Sequence, residues 1–169
     1  MDYEQGVVMP TFDFTFTVDA SLSAVAEMHR DTRALKRLTP PPVWVQIHRV
    51  DPIAEGSISE FTLWFGPLPI RWTARHSHVI PGKGFTDTQI RGPMKHWVHT
   101  HTFSDAGGGL TRIAEHIDYE HFEGVRGVRS RLLFTPIGLR LTFCYRRAAT
   151  RRLLNQTAAS VYKARREQS

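Results

Sequence analysis

Residues Gly92 to Phe103 read GPMKHWVHTHTF, a run whose side chains divide between two unlike faces. On a strand, Trp97, His99, His101 and Phe103 point one way, and His96, Val98, Thr100 and Thr102 the other. Two aromatic rings therefore bracket two imidazoles on a single face. That is the make-up of a wall that meets a core or a ligand cavity.

Working outward, residues 43 to 120 are rich in Val, Ile, Thr, Trp and Phe, are broken by Gly and Pro, and lack any long helical period. The spacing predicts strands at Trp44–Val50, Ser57–Phe65, Ile70–Ile80, Phe85–Arg91, Met94–Phe103 and Thr111–Glu120. The joints Gly66-Pro67, Pro81-Gly82 and Gly107-Gly108-Gly109 are short, so neighbours should pair antiparallel as a meander. The triple glycine joins two strands and opens no helix, which makes it a hairpin turn and not a phosphate loop.

The N-terminal part supplies one more strand, because Phe12, Phe14, Phe16 and Val18 alternate with polar residues. At Asp19 or Ser21, either of which can cap, the period becomes helical through Leu22, Val25, Ala26 and His29. A second short helix is predicted over Thr32–Leu38, ended by Pro40, Pro41 and Pro42. Beyond Gly124 a loop leads to one long helix from about Gly138 to Arg166, in which Leu141, Cys144, Tyr145, Ala148 and Ala149 form the apolar stripe. Arg146, Arg147, Arg151 and Arg152 are then expected on the solvated side.

The length of 169 residues suits one domain, with a core over about residues 11–155 and a basic end at 156–169. A single cysteine, Cys144, excludes an internal disulfide and a cysteine-only metal cluster. The opening MDYEQGVVMPTF has neither a basic nor an apolar leader segment, and no run nears the roughly 18 apolar residues of a membrane span, so a cytoplasmic protein is expected. The net charge of +6 is unevenly placed: residues 1–124 carry 11 Lys and Arg against 15 Asp and Glu, and residues 125–169 carry 11 against one. Such a basic end suits weak, salt-sensitive contact with an anionic membrane surface. It lacks the stacking aromatics that nucleic-acid reading needs, so no sequence-specific nucleic-acid partner is expected.

The residues Phe85, Asp87 and Gln89, then Gly92-Pro93, then Trp97, His99, His101 and Phe103, with Leu38-Thr39-Pro40-Pro41 before them and Thr111 and Tyr119 after, form a recognisable series. It resembles the F-x-D-x-Q, GP, W-x-H-x-H-x-F pattern of the polyketide cyclase/dehydrase-type branch of the START-like, or SRPBCC, superfamily. Where that branch often has Asp in its last strand, this chain has Glu115. The resemblance implies an α+β helix-grip fold: a curved antiparallel sheet of about seven strands around a long C-terminal helix, with two short helices after the first strand. It also implies an apolar cavity between sheet and helix that binds lipids, polyketides or isoprenoid-like molecules, with cyclisation or dehydration catalysed there in some members.

If both hairpins keep parity, Asp87 lies opposite His99 and His99 opposite Glu115, a carboxylate–imidazole–carboxylate row at about 5 Å spacing. These three residues are the candidate catalytic set, with His99 as acid and base and the carboxylates orienting it. A satisfied polar network that fixes strand register is the alternative. The candidate ligand-binding residues are Trp72, His76, Phe85, Gln89, Trp97 and His101 on the sheet's inner face. Ile113 and Tyr119 on the last strand, and Leu141 and Tyr145 on the helix, complete them. The pairs His76/His78 and His99/His101 invite a metal, but no glutamate follows at the spacing a cupin-type site uses, so no metal and no cofactor are expected. The functional expectation is binding of a hydrophobic or amphipathic small molecule. The alternative is a cyclase or dehydratase.

Overall fold

The computed structural model describes residues 9–30 and 34–167. Seven strands run in chain order: β1 (Thr11–Val18), β2 (Trp44–Val50), β3 (Ile58–Phe65), β4 (Leu68–Ile80), β5 (Gly84–Arg91), β6 (His96–Gly107) and β7 (Leu110–Glu120). Helices α1 (Leu22–Arg30) and α2 (Leu35–Leu38) lie between β1 and β2, and α3 (Val128–Leu133) and α4 (Pro136–Glu167) follow β7. All strands form one antiparallel sheet in the order β1-β7-β6-β5-β4-β3-β2, so the first strand closes against the last. The meander and the α+β architecture are as expected. Each strand lies within a few residues of its predicted limits, and Thr32 and Arg33 of the predicted second helix fall outside the described residues.

Two helix starts show the local chemistry. Ser21 opens α1, its Oγ accepting from Ala24 N at 3.3 Å and its carbonyl from Val25 N at 3.1 Å, which decides between the two candidate caps. Thr135 opens α4 in the same way, Oγ1 accepting from Gly138 N at 2.9 Å, and Pro136 takes the first helical position, where its missing N–H costs nothing. The segment predicted as a loop after Gly124 is instead a 3-10 turn, Gly124–Gly127, running into α3. Ser130 stabilises that turn by donating to the Gly127 carbonyl at 3.0 Å.

The 32 residues of α4 extend about 48 Å at 1.5 Å per residue. Its buried stripe is Leu139, Phe143, Thr150 and Leu154. This corrects the predicted one: Leu141 is 66% exposed and points away from the sheet. Thr150 within the true stripe, and the half-buried Arg146 between Phe143 and Thr150 on the same side, break its hydrophobic pattern, and the alanines and Cys144 present a misleading one. Other cations expected in water are also engaged. Arg151 Nη2 donates to the Thr17 carbonyl at 2.8 Å, and the Arg147 guanidinium lies 6.0 Å from the Phe14 ring centre.

The sheet's inner face carries two apolar clusters. One joins Trp72, Trp97, Ile117, Tyr119, Phe134 and Phe143; the other joins Phe16, Val25, Phe85, Phe103, Ile113 and Leu154. Along β6 and β7 the polar residues His99, His101 and Glu115 sit between them, each under a tenth exposed. Phe143 fixes α4 on the first cluster, its ring centre 5.1 Å from that of Phe12. Phe143→Ala should cost about 3–5 kcal/mol in urea unfolding, whereas Leu141→Ala should change stability by under about 0.5 kcal/mol; equal losses would contradict this placement of the helix.

Candidate functional site

The site begins with strand register. Asp87 on β5 pairs with His76 on β4 and His99 on β6, so one carboxylate is flanked by two imidazoles. On the other side of β6 the predicted row is displaced: Glu115 lies opposite His101, and His99 opposite Ile117. The cause is the irregularity between Asp105 and Gly107, which with the Gly108-Gly109 turn moves β7 by two residues relative to the parity assumed from sequence. Parity survives, so Glu115 still faces inward. Glu115 also reaches His99 diagonally.

His101 is the centre of the cluster. Its Nε2 donates to Asp87 Oδ2 at 3.2 Å, and its Nδ1 lies 2.8 Å from Glu115 Oε2, so each ring nitrogen meets a different carboxylate. His99 Nε2 donates to the same Glu115 oxygen at 2.8 Å. On the far side, His76 Nε2 is 2.9 Å from Asp87 Oδ1 and its Nδ1 is 2.9 Å from Ser57 Oγ. The result is a chain of close polar contacts across four strands, His76, Asp87, His101, Glu115, His99, in which the His76–Asp87 and His101 Nδ1–Glu115 links are ion-pair contacts without hydrogen-bond geometry. Gly84 permits its tight centre, because at φ +140° it lies against β6 where an added Cβ would collide with the His101 carbonyl.

The electrostatics separate the imidazoles. Burial opposes a charge on His101, but the Glu115 and Asp87 carboxylates outweigh it and raise the ring to about 9. For His99, burial and then the positive His101 prevail over Glu115 and lower it to about 4. His29 on α1 is likewise lowered to about 4 by burial and by His101, whose ring centre is 6.0 Å away. Burial opposes ionisation of both carboxylates as well, but hydrogen bonding and charge from His101 hold Asp87 and Glu115 below their ordinary range. Near neutral pH, two anions and one imidazolium therefore lie beside neutral His99, whose Nε2 carries the proton and whose Nδ1 is a free base.

A cavity of about 210 Å³ opens between this chain and α4. Of the residues expected there from sequence, Trp72, His76, Phe85, Asp87, Trp97, His99 and His101 line it. The others do not. Gln89 bonds back to Met94, donating to its carbonyl at 2.8 Å and accepting from its N–H at 3.3 Å, and so clips the β5–β6 turn. Gly92 makes room for that clip, since a Cβ there would run into the Gln89 amide. Ile113 and Tyr119 are core residues; Glu115 lies behind the two histidines; Leu141 points outward, and Tyr145 lies off the lining.

Sequence reasoning missed His29, Ser59, Phe143 and Arg146, all of which line the cavity. For Arg146 the signal was present in its spacing from Leu139, Phe143 and Thr150, but its charge placed it with the solvated residues. Two overlapping groups, His29/His101/Glu115 and Asp87/His99/His101, bring their ligand atoms within 4.8 Å of one another and meet the geometric condition for a metal. Both need a His101 nitrogen that already faces a carboxylate.

No family model and no curated protein matches the chain. Solved structures do. The Zhui aromatase/cyclase from a Streptomyces species superposes with a TM-score of 0.70 at 16% identity, over 89% of this chain and 96% of that one. The chain has the helix-grip fold. A Chromobacterium violaceum protein shares this helix-grip arrangement with a TM-score of 0.69 at 14% identity, covering 85% of this chain and 96% of that chain. A nucleoside-diphosphate sugar epimerase from Corynebacterium glutamicum contains it as a part, with a TM-score of 0.64 at 22% identity over 89% of this chain and 30% of that one.

The pKa directions fix how stability depends on pH. His101, raised in the fold, contributes fully below about 6.5, and that contribution is lost as pH rises through about 9. His29 and His99, lowered to about 4, contribute above about 6.5 and lose that contribution as pH falls toward 4, where the lowered carboxylates begin to add to the loss. Melting temperature should peak near neutral pH and fall on both sides. In His101→Gln the decline between pH 7 and 9.5 should flatten; an unchanged alkaline limb would show that His101 is not the group responsible.

Proposed function

We propose that this helix-grip protein binds an apolar or amphipathic small molecule in the cavity between sheet and α4. The observation that carries the reading is the division of the lining. Trp72, Trp97, Phe61, Phe134 and Phe143 supply apolar walls, and Asp87, His99 and His101 converge from one side of the sheet. Pockets of this make-up gain affinity from apolar contact and orientation from a few polar groups. The buried Ser59 hydroxyl, which has no hydrogen-bond partner among the described residues, adds a further point for a ligand to satisfy.

A second reading rests on the same residues. Neutral His99 and protonated His101 are neighbours, with ring centres 4.0 Å apart, and their environments push them in opposite directions. One group able to accept a proton beside one able to give it suits cyclisation or dehydration, with Asp87 and Glu115 orienting the pair. On this reading the fold's likeness to an aromatase/cyclase extends to chemistry.

Solvent extraction of freshly purified protein followed by mass spectrometry should release a small apolar or amphipathic molecule in near-stoichiometric amount, and Trp72→Ala should carry markedly less of it. Protein that carries nothing, and whose tryptophan fluorescence answers to no apolar probe, would end the binding reading. His99→Gln separates the two readings: occupancy that persists while turnover of the released molecule disappears supports the enzyme, and unchanged turnover removes it.

The basic end of α4 supports weak docking on an anionic membrane surface. Among the described residues no helix is long and apolar enough to cross a membrane. Arg146 and Arg151 are engaged within the fold, which leaves fewer cations for a surface, each contributing on the order of 1 kcal/mol. Flotation with phosphatidylserine vesicles should show binding at low salt that is lost near physiological salt. Binding that persists at high salt, or is absent at low salt, contradicts it.

A further inference from the structure

Arg146 is the one guanidinium that α4 turns into the cavity among the described residues, and it lies opposite the polar chain of the sheet. Its Nε is fully enclosed and has no hydrogen-bond partner among the described residues. The guanidinium carbon sits 4.9 Å from the Phe143 ring centre, so the planar group leans on an aromatic support. Groups facing it come from every surrounding element: His29 from α1, Asp87 from β5, His99 and His101 from β6, and Glu115 from β7. Neither carboxylate comes within ion-pair reach of it, because Asp87 is taken by His76 and His101, and Glu115 by His99 and His101.

An arginine only donates and does not lose its proton under ordinary conditions, so an enclosed N–H with no acceptor is costly. Burial indeed lowers its affinity for the proton, against the pull of Glu115 and Asp87. Arg146 lines the cavity with no carboxylate in ion-pair reach, and a charged donor pairs best with a charged acceptor in planar, two-point geometry.

We propose that the cavity takes a small aromatic or apolar acid whose carboxylate is held by Arg146, with the hydrocarbon part among Trp72, Trp97 and Phe61. The inference rests on the cavity-binding reading and names its ligand class. The cavity volume of about 210 Å³ leaves room for a compact ring system. Arg146 fixes the acid end beside His29 and His99, and the aromatic walls select a flat body.

The test compares 2-naphthoate with 2-naphthalenemethanol, nearly the same body without the charge, by isothermal titration of the full chain. Wild type should bind the acid at least about tenfold more tightly, as expected for a charge-assisted pair in an enclosed site. Arg146→Gln should bind the two about equally, and Arg146→Lys should recover part of the preference. Equal binding by wild type, or a preference that survives in Arg146→Gln, overturns the anion anchor and leaves the cavity reading standing. If neither probe binds, the molecule extracted from the protein decides: an acid upholds the anchor, a neutral molecule overturns it, and protein that carries nothing overturns both readings. The wild-type ratio needs no variant, so a variant that fails to fold does not block the test.

Discussion

The placement of one charged imidazole between two buried carboxylates is the constraint on which the rest of this site depends. Glu115 is 6% exposed and the Asp87 side chain 25%, so Glu115 has no bulk water to support its charge and Asp87 has little. Two such anions on one sheet face would repel each other and each lose several kcal/mol of hydration. His101 removes both problems by presenting one ring nitrogen to each. Because Asp87 is on β5, His101 on β6 and Glu115 on β7, the bridge also ties three strands in one register. A slip of one residue would send all three to the outer face and Phe85, Trp97 and Ile113 with them.

Charging His101 has consequences for its neighbours. A second imidazolium on His99 or His29 would meet it at close range, so both remain neutral, one with Nε2–H given to Glu115 and the other held by its Nδ1 on the Val25 carbonyl at 2.8 Å. The two ends of the polar chain are thereby different. All three of its imidazoles line the cavity, but His76 is backed by Ser57, whereas His99 lies beside Trp97 and His101 on Phe85. A pocket with a fixed polar side and an aromatic remainder has a direction built into it before any ligand arrives. That direction comes from side chains locked on strands, the most rigid support a fold offers.

Much of this was legible in the alternation of single strands. Trp97, His99, His101 and Phe103 lie on one face because a period of two admits no other result, and all four are buried. Asp87 opposite His99 followed from a short turn that Gln89 and Gly92 hold closed. What alternation cannot give is the count of residues absorbed at a bulge. The later position of the turn, which pairs Gly107 with Leu110, together with the one-residue irregularity before it, puts Glu115 opposite His101 instead of His99, and with it the centre of the network. The helix was harder still. Its inner stripe contains Thr142, Arg146 and Thr150 because it faces a polar sheet surface and a cavity as well as a core, so hydropathy selected Leu141, on the wrong side.

The same reasoning explains why Arg146 is tolerated inside the fold at all. Asp87 and Glu115 supply two negative charges, and His101 and Arg146 supply two positive ones, so the charges of these four buried or half-buried groups balance. The three members on the sheet are joined by contacts of 2.8 and 3.2 Å; the fourth, on the helix, acts on them only through space. Its charge is attracted to both carboxylates across the cavity, although its own Nε–H has no partner among the described residues. An aliphatic residue at 146 would collapse onto Phe143 and fill the gap, and an acidic one would set a third anion against Asp87 and Glu115. A long cation at this turn of the helix lines the void opposite the two carboxylates, and that placement is what the proposed preference for an acid rests on.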